Sequence, residues 1–252
     1  MTPEERRRRR AGIASALRAV LVPVLRAGLR PRPSPREWAA LVEALYPITY
    51  RARMDYWRLA ERAYRAERDR MLGTDSPVEF PRRDYPVEAL DKGLRDLVKP
   101  RLDALGDDDD VPAVVVEEAV LVVDRHAKDG GRQGVIDAAR HDPEALGYAR
   151  RLVGDYNCAF CTMLVSRGAV YKSASSGLVR HIGRGRNAVA TGEPFHNRCD
   201  CEVVAVYDRS DWPGRDQYLE LSRAWDEHAN GNLRDWRRWI DSQQSERQAA
   251  AA

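Results

Sequence analysis

The residues best equipped for chemistry are four cysteines and a histidine in two short clusters, Cys158-Ala-Phe-Cys161 and His196-Asn-Arg-Cys199-Asp-Cys201. Two loop cysteines three apart can turn both sulfurs onto one ion, and the second cluster adds an imidazole and two more sulfurs. Thiolate and imidazole together favour Zn2+ in a closed, structural tetrahedral site. Cys158, Cys161, His196, Cys199 and Cys201 make five candidate ligands for four places, so one is spare. A C-x-C pair reaches one ion with both sulfurs only through a tight turn, so Cys201 is expected to point into a sheet as a small apolar residue. The reverse arrangement is a four-cysteine site with His196 supporting a ligand. Two other uses of the thiols stay open: reduced side chains packed in a small core, or one or two disulfides. The gap of 34 residues between Cys161 and His196 is longer than in common zinc fingers.

Catalytic groups are sparse. His196 and Cys199 could form a thiol–imidazole pair, but the same atoms serve better as metal ligands. His181 and Asn197 flank the clusters as in some metal-dependent nucleases, yet no acidic cluster stands near them. Gly183-Arg184-Gly185-Arg186 lacks the Lys-Ser/Thr of a phosphate loop. No catalytic residue is assigned, and the chain is not expected to be an enzyme. Arg6, Arg7, Arg8, Arg9 and Arg10, with Arg180, Arg184 and Arg186, are suited to phosphates or an acidic protein partner, with nothing spaced to read bases.

The elements that must position the cysteines form a small α+β module. Residues 147–153 read as a first strand, Cys161 to Ser166 as a helix ending at Gly168, and Val170-Tyr171 and Glu202 to Tyr207 as further strands. Asp142-Pro143 is expected to cap a short helix. Two helices should follow at 214–229 and 232–247, joined at Asn230-Gly231 and anchored by Trp225, Trp236 and Trp239.

Upstream the chain reads as helical. Ile13, Leu17, Val20, Leu21, Val24 and Leu25 can share a face within residues 4–29, with Pro23 kinking or ending that helix. Ser34, Pro35 and Glu37 form a capping box opening a helix to about Leu72. Its later turns alternate Tyr50, Met54, Trp57, Ala60, Tyr64 and Met71 with arginines. That pattern suits either stacking on nucleic acid or, more ordinarily, a core face opposite a solvated one. Further helices are expected at 87–105 and 111–129, with Asp107 to Asp110 a solvated turn and Gly130-Gly131 the break before the module.

The expected fold is thus α+β and predominantly α-helical, with a helical N-terminal half, a small cysteine/zinc-stapled module and C-terminal helices. The divisions fall at 1–33 (basic arm), 34–130 (helical domain), 131–210 (Cys/His module) and 211–252 (C-terminal helices and tail). With 252 residues the chain can bury a real core. Its net charge of +3 hides an asymmetry: residues 1–72 hold 17 arginines against 8 acids, which is +9 and leaves −6 for the rest. A basic arm on an acidic body points to an anionic partner. No uninterrupted apolar stretch approaches a membrane span, and Glu4, Glu5, Arg18 and Arg26 spoil a signal-peptide reading, so folding in a reducing cytoplasm is expected.

The run DAARHDPEALGYARRLVGDYNCAFCTMLVSRGAVY, followed by H-x-x-C-x-C and EVVAVY, resembles the Mu F-like minor capsid (head morphogenesis) proteins of tailed bacteriophages. It is similar to the form found in phages of high-GC actinobacteria. The matching pieces span about 70 residues in order: the Ala-Arg motif, C-x-x-C entering a helix, Arg167-Gly168 before a short strand, and the closing H-x-x-C-x-C. The segment Ser173 to Pro194 departs from the pattern in length and in its Gly and Arg content. The resemblance implies a virion protein of the capsid interior, near the portal, acting in head assembly and DNA packaging or ejection. Its partners would be the portal protein and head shell, with sequence-independent contact to packaged double-stranded DNA and none to membrane. Assembly would take place in the host cytoplasm. The alternatives are a metal-dependent nuclease or toxin-like enzyme on the same knot, and a cytoplasmic nucleic-acid-binding regulator using Arg6 to Arg10.

Overall fold

Apolar residues at helical spacing dominate the first half of the chain, and in the computed structural model they close on one another as a helical core. The structure describes residues 1–73, 77–154, 157–171, 180–182, 189–191, 195, 197 and 199–250; 171, 180–182, 189–191 and 247–250 are described by backbone alone. The chain divides into two units, Met1–Ala63 with Pro81–Gly134, and Tyr64–Phe80 with Val135–Ala252.

The first unit holds α1 (Pro3–Gly28), the start of α2 (Pro35–Leu72), α3 (Val87–Leu97), α4 (Lys99–Asp103) and most of α5 (Ala113–His141). Leu17, Leu21 and Leu25 of α1, one turn apart, enter a core with Trp38, Leu45, Leu90, Leu94, Val122 and Val123. Val20 falls off that stripe and is 54% exposed. Pro23 does not end α1, which continues to Gly28; the buried leucines on both sides offset the lost backbone hydrogen bond. Residues 1–33 are therefore largely a docked helix. Over one 18-residue window, of mean hydropathy 1.4, α1 is long and apolar enough to cross a bilayer by length and composition.

The capping box at Ser34 forms. Its N–H donates to Glu37 Oε2 (2.8 Å), and the Glu37 N–H donates to Ser34 Oγ (3.3 Å). Gly130-Gly131 does not break α5, which runs through to His141. The glycines instead let α5 approach α2: a Cβ on Gly130 would lie 2.5 Å from the Arg53 carbonyl oxygen, and one on Gly131 2.8 Å from that of Tyr56. Arg53 is buried here, donating to the His126 carbonyl and to Gln133 Oε1 (2.8 Å each) beneath the Tyr85 ring.

The second unit is built on β1 (Gly147–Arg151), the middle strand of an antiparallel sheet ordered β2-β1-β5, with β2 at Val170–Tyr171 and β5 at Glu202–Val206. β2 lies where the sequence placed it, β5 stops one residue early and β1 two. Five register pairs join β1 to β5, from Gly147↔Val206 to Arg151↔Glu202. The short helix α6 (Ala159–Val165) packs with α7 (Arg215–His228) and α8 (Leu233–Ala250) around Met163, Leu164, Ala229, Trp236 and Ile240. Segment 173–194, expected as a loop, contains a two-stranded antiparallel ladder of β3 (Arg180–Ile182) and β4 (Val189–Thr191). The fold is α+β and predominantly helical, as expected.

Candidate metal centre

The cysteines converge because two elements begin at them. Cys158 is the N-cap of α6, its Sγ accepting the Cys161 N–H at 3.3 Å, and Cys161 lies on the first turn. From the other side, Cys199 and Cys201 lead into β5. The sulfurs of Cys161, Cys199 and Cys201, all buried, lie within 4.8 Å of one another. Cys199 Sγ is 3.2 Å from Cys161 Sγ and 3.1 Å from Cys201 Sγ. No disulfide links the four cysteines in this structure.

Cys201 therefore does not turn away into the sheet as an isolated apolar side chain. The one-residue spacing with Cys199 is tight enough to bring both sulfurs together. His196 lies outside the described residues, as do Arg184 and Arg186. Arg180 and His181 belong to the backbone of β3, and Asn197 is half-buried.

Two neighbours shape the knot, and sequence reasoning missed both. Arg150, 4% exposed, points Nη1 at Cys201 Sγ (3.6 Å) and holds its guanidinium 4.3 Å over the Phe195 ring. It pairs with Val203 in the ladder, which puts it diagonally beside Cys201 on the same face. Gly154 passes so close to Asp200 that a Cβ would lie 2.3 Å from its Oδ2. Further out, Trp236 Nε1 donates to the Ala159 carbonyl and Thr162 Oγ1 (3.0 Å each), clamping α8 on α6. This is the anchoring expected of that tryptophan.

Chemically the arrangement offers a cage of soft ligands. Hydrogen bonds with Cys158, Cys199 and Cys201, joined by burial, push the Cys161 thiol well above its ordinary value. An incoming ion would have to displace protons from such thiols.

A second buried polar cluster of this unit went unrecognised in the sequence. Asp142, expected as a helix cap, instead accepts the Tyr64 hydroxyl (2.9 Å), the Tyr207 hydroxyl (3.1 Å) and Arg68 Nε (3.1 Å) on Oδ2. Burial raises its pKa, but these bonds, the Glu144 N–H and the Arg68 charge more than reverse that, and the carboxyl stays below its usual range. Arg6 to Arg10 lie on α1, where Arg9 pairs with Glu5 (2.8 Å), Arg10 sits 5.8 Å over the Tyr56 ring, and Arg7 and Arg8 are exposed.

A family model described as VG15 protein matches residues 14–228, leaving Arg6 to Arg10 and α8 outside the match. The Gene 15 protein of Mycobacterium phage D29 is 30% identical over 217 residues, covering 78% of this chain and 77% of the phage protein. The Gene 15 protein of Mycobacterium phage L5 is 28% identical over 253 residues, covering 89% of this chain and 84% of its own. No solved structure matches. With most of its length matched, the chain belongs to the VG15 family of bacteriophage gene 15 proteins.

Proposed function

We propose that this protein is a minor head component of the virion, of the Mu F-like kind, sited near the portal and acting in head assembly and in packaging or ejecting DNA. One observation carries the reading. The segments quoted for the Mu F-like resemblance fold as a single piece, with Gly147–Arg151, Cys158–Val165, Val170–Tyr171 and Cys199–Val206 forming one sheet, one helix and one sulfur knot. The phage family of the chain supports the same reading.

In this role the sulfur knot holds shape and is not a reaction centre. A closed four-ligand site leaves no position for an activated water. The helical unit would dock on the portal or head shell, and the exposed arginines of α1 offer sequence-independent contact to packaged DNA.

Deleting the gene from the phage that carries it, with complementation in trans, tests the proposal. Infectivity should fall further than particle number, and the tagged protein should co-purify with portal-containing assemblies. Unchanged infectivity per particle would contradict the role. Metal-dependent DNA cleavage by the folded protein, abolished by His181→Ala or His196→Ala, would replace it with a nuclease.

A further inference from the structure

We infer that Cys158, Cys161, Cys199 and Cys201 form a four-sulfur site for one zinc-class divalent ion, and that Arg150 balances its charge. The inference stands apart from the head role, since a metal-stapled module could equally serve a nucleic-acid-binding regulator; only the nuclease reading is at odds with a closed four-sulfur shell.

Three sulfurs already face one point, and Cys158 starts the same helix turn with its sulfur on the Cys161 N–H. A tetrahedral zinc site with bonds of about 2.3 Å has sulfur–sulfur edges of about 3.8 Å. The observed separations of 3.1 and 3.2 Å need open by only about 0.6–0.7 Å to reach that edge. An all-sulfur cage selects against magnesium and calcium, which take oxygen ligands.

Charge points the same way. Four thiolates around a divalent ion leave two negative charges in a buried place, a costly arrangement without a counter-charge. Arg150 supplies one from 3.6 Å, positioned by the β1–β5 register. Its stacking on Phe195 holds the guanidinium, and Nη1 donates toward the Cys201 sulfur.

The consequence is a staple between the start of α6 and the start of β5, 38 residues apart from Cys161 to Cys199. The sheet it clamps has strands of only 5, 2 and 5 residues. Ion binding would supply much of that module's folding energy.

The test uses full-length reduced protein titrated with cobalt and zinc. One ion per chain is expected, with the thiolate-to-cobalt charge-transfer and visible bands of a tetrahedral four-sulfur site. Zinc should protect all four cysteines from alkylation, and a chelator should expose all four, a readout that requires no variant to fold. Cys158→Ser should weaken binding and reduce the charge-transfer band, while His196→Ala should keep both. Arg150→Met should weaken zinc by about 10- to 100-fold, judged against a chromogenic chelator, with the stoichiometry still one. Failure to bind either ion, or protection of three cysteines only, would overturn the site. So would loss of the ion in His196→Ala with retention in Cys158→Ser.

Discussion

Gly130→Ala tests whether this glycine exists for close packing or for chain freedom. Within α5, alanine should gain about 1 kcal/mol of helix propensity over glycine. The new Cβ would lie 2.5 Å from the Arg53 carbonyl oxygen and 2.6 Å from Arg53 Cγ. The carbonyl belongs to the backbone of α2 and cannot rotate away, so relief requires the helices to part. Overpacking of this kind costs about 1–3 kcal/mol, toward the upper end where backbone must move. The net expectation is a loss of roughly 1–2 kcal/mol. Gly12→Ala on α1 is the control: its Cβ would meet nothing within 4 Å, so it should gain about 0.5–1 kcal/mol. Urea unfolding of both variants against the parent, read by far-ultraviolet circular dichroism, gives the two signs in one experiment. A Gly130→Ala protein as stable as the Gly12→Ala protein would refute the close-approach reasoning.

Other expectations follow from buried charge. Burial, with Arg125 and Arg53 nearby, depresses His126 to about 3, and its Nε2 accepts from Arg125 Nη2 at 2.9 Å. The unfolded imidazole takes a proton near pH 6.5 and the folded one does not, so stability should fall by about 2 kcal/mol from pH 7 to pH 5. His126→Gln should flatten that part of the profile, and an unchanged slope would remove His126 as its source. Asp142→Ala should cost about 3–5 kcal/mol, because Arg68 would keep its charge in a buried place without that carboxylate. Since the folded Asp142 pKa is depressed, its contribution is present above the ordinary value near 3.9 and lost as pH falls below it. The variant should therefore lose less stability on acidification than the parent, as measured by unfolding at pH 7 and pH 3.5. For DNA, replacing exposed Arg7 and Arg8 by Gln should reduce the salt slope by about 0.9 for each phosphate no longer neutralised, equally on unrelated sequences. Sequence preference, or a slope indifferent to both changes, would contradict the electrostatic picture.

What the sequence revealed is what short-range chemistry decides. Ser34, Pro35 and Glu37 act within one turn and produced the cap they spell. Cys158-x-x-Cys161 starts a single helix turn, so that half of the knot was legible before the fold, whereas Cys199-x-Cys201 was misread with Cys201 turned into the sheet. Other misreadings are non-local. Gly130-Gly131 carries a breaker's local signal, but α2 packing makes small residues necessary there. Asp142 has the composition of a cap, while its partners Tyr64, Arg68 and Tyr207 are 78, 74 and 65 residues away. Arg150 sits in a run of arginines, and only the β1–β5 register sets it beside Cys201. The ladder between Arg180 and Thr191 went unread because its strands are three residues each, too short for alternation to show.

Quantitative mass spectrometry of purified particles, from the phage that carries this gene, tests the head role most directly. Peptides of this chain should appear at a small fixed copy number per particle. They should resist nuclease and salt washing of intact particles and leave with the portal fraction when particles are opened. Particles free of the protein, with the whole pool remaining in the lysate, would contradict it.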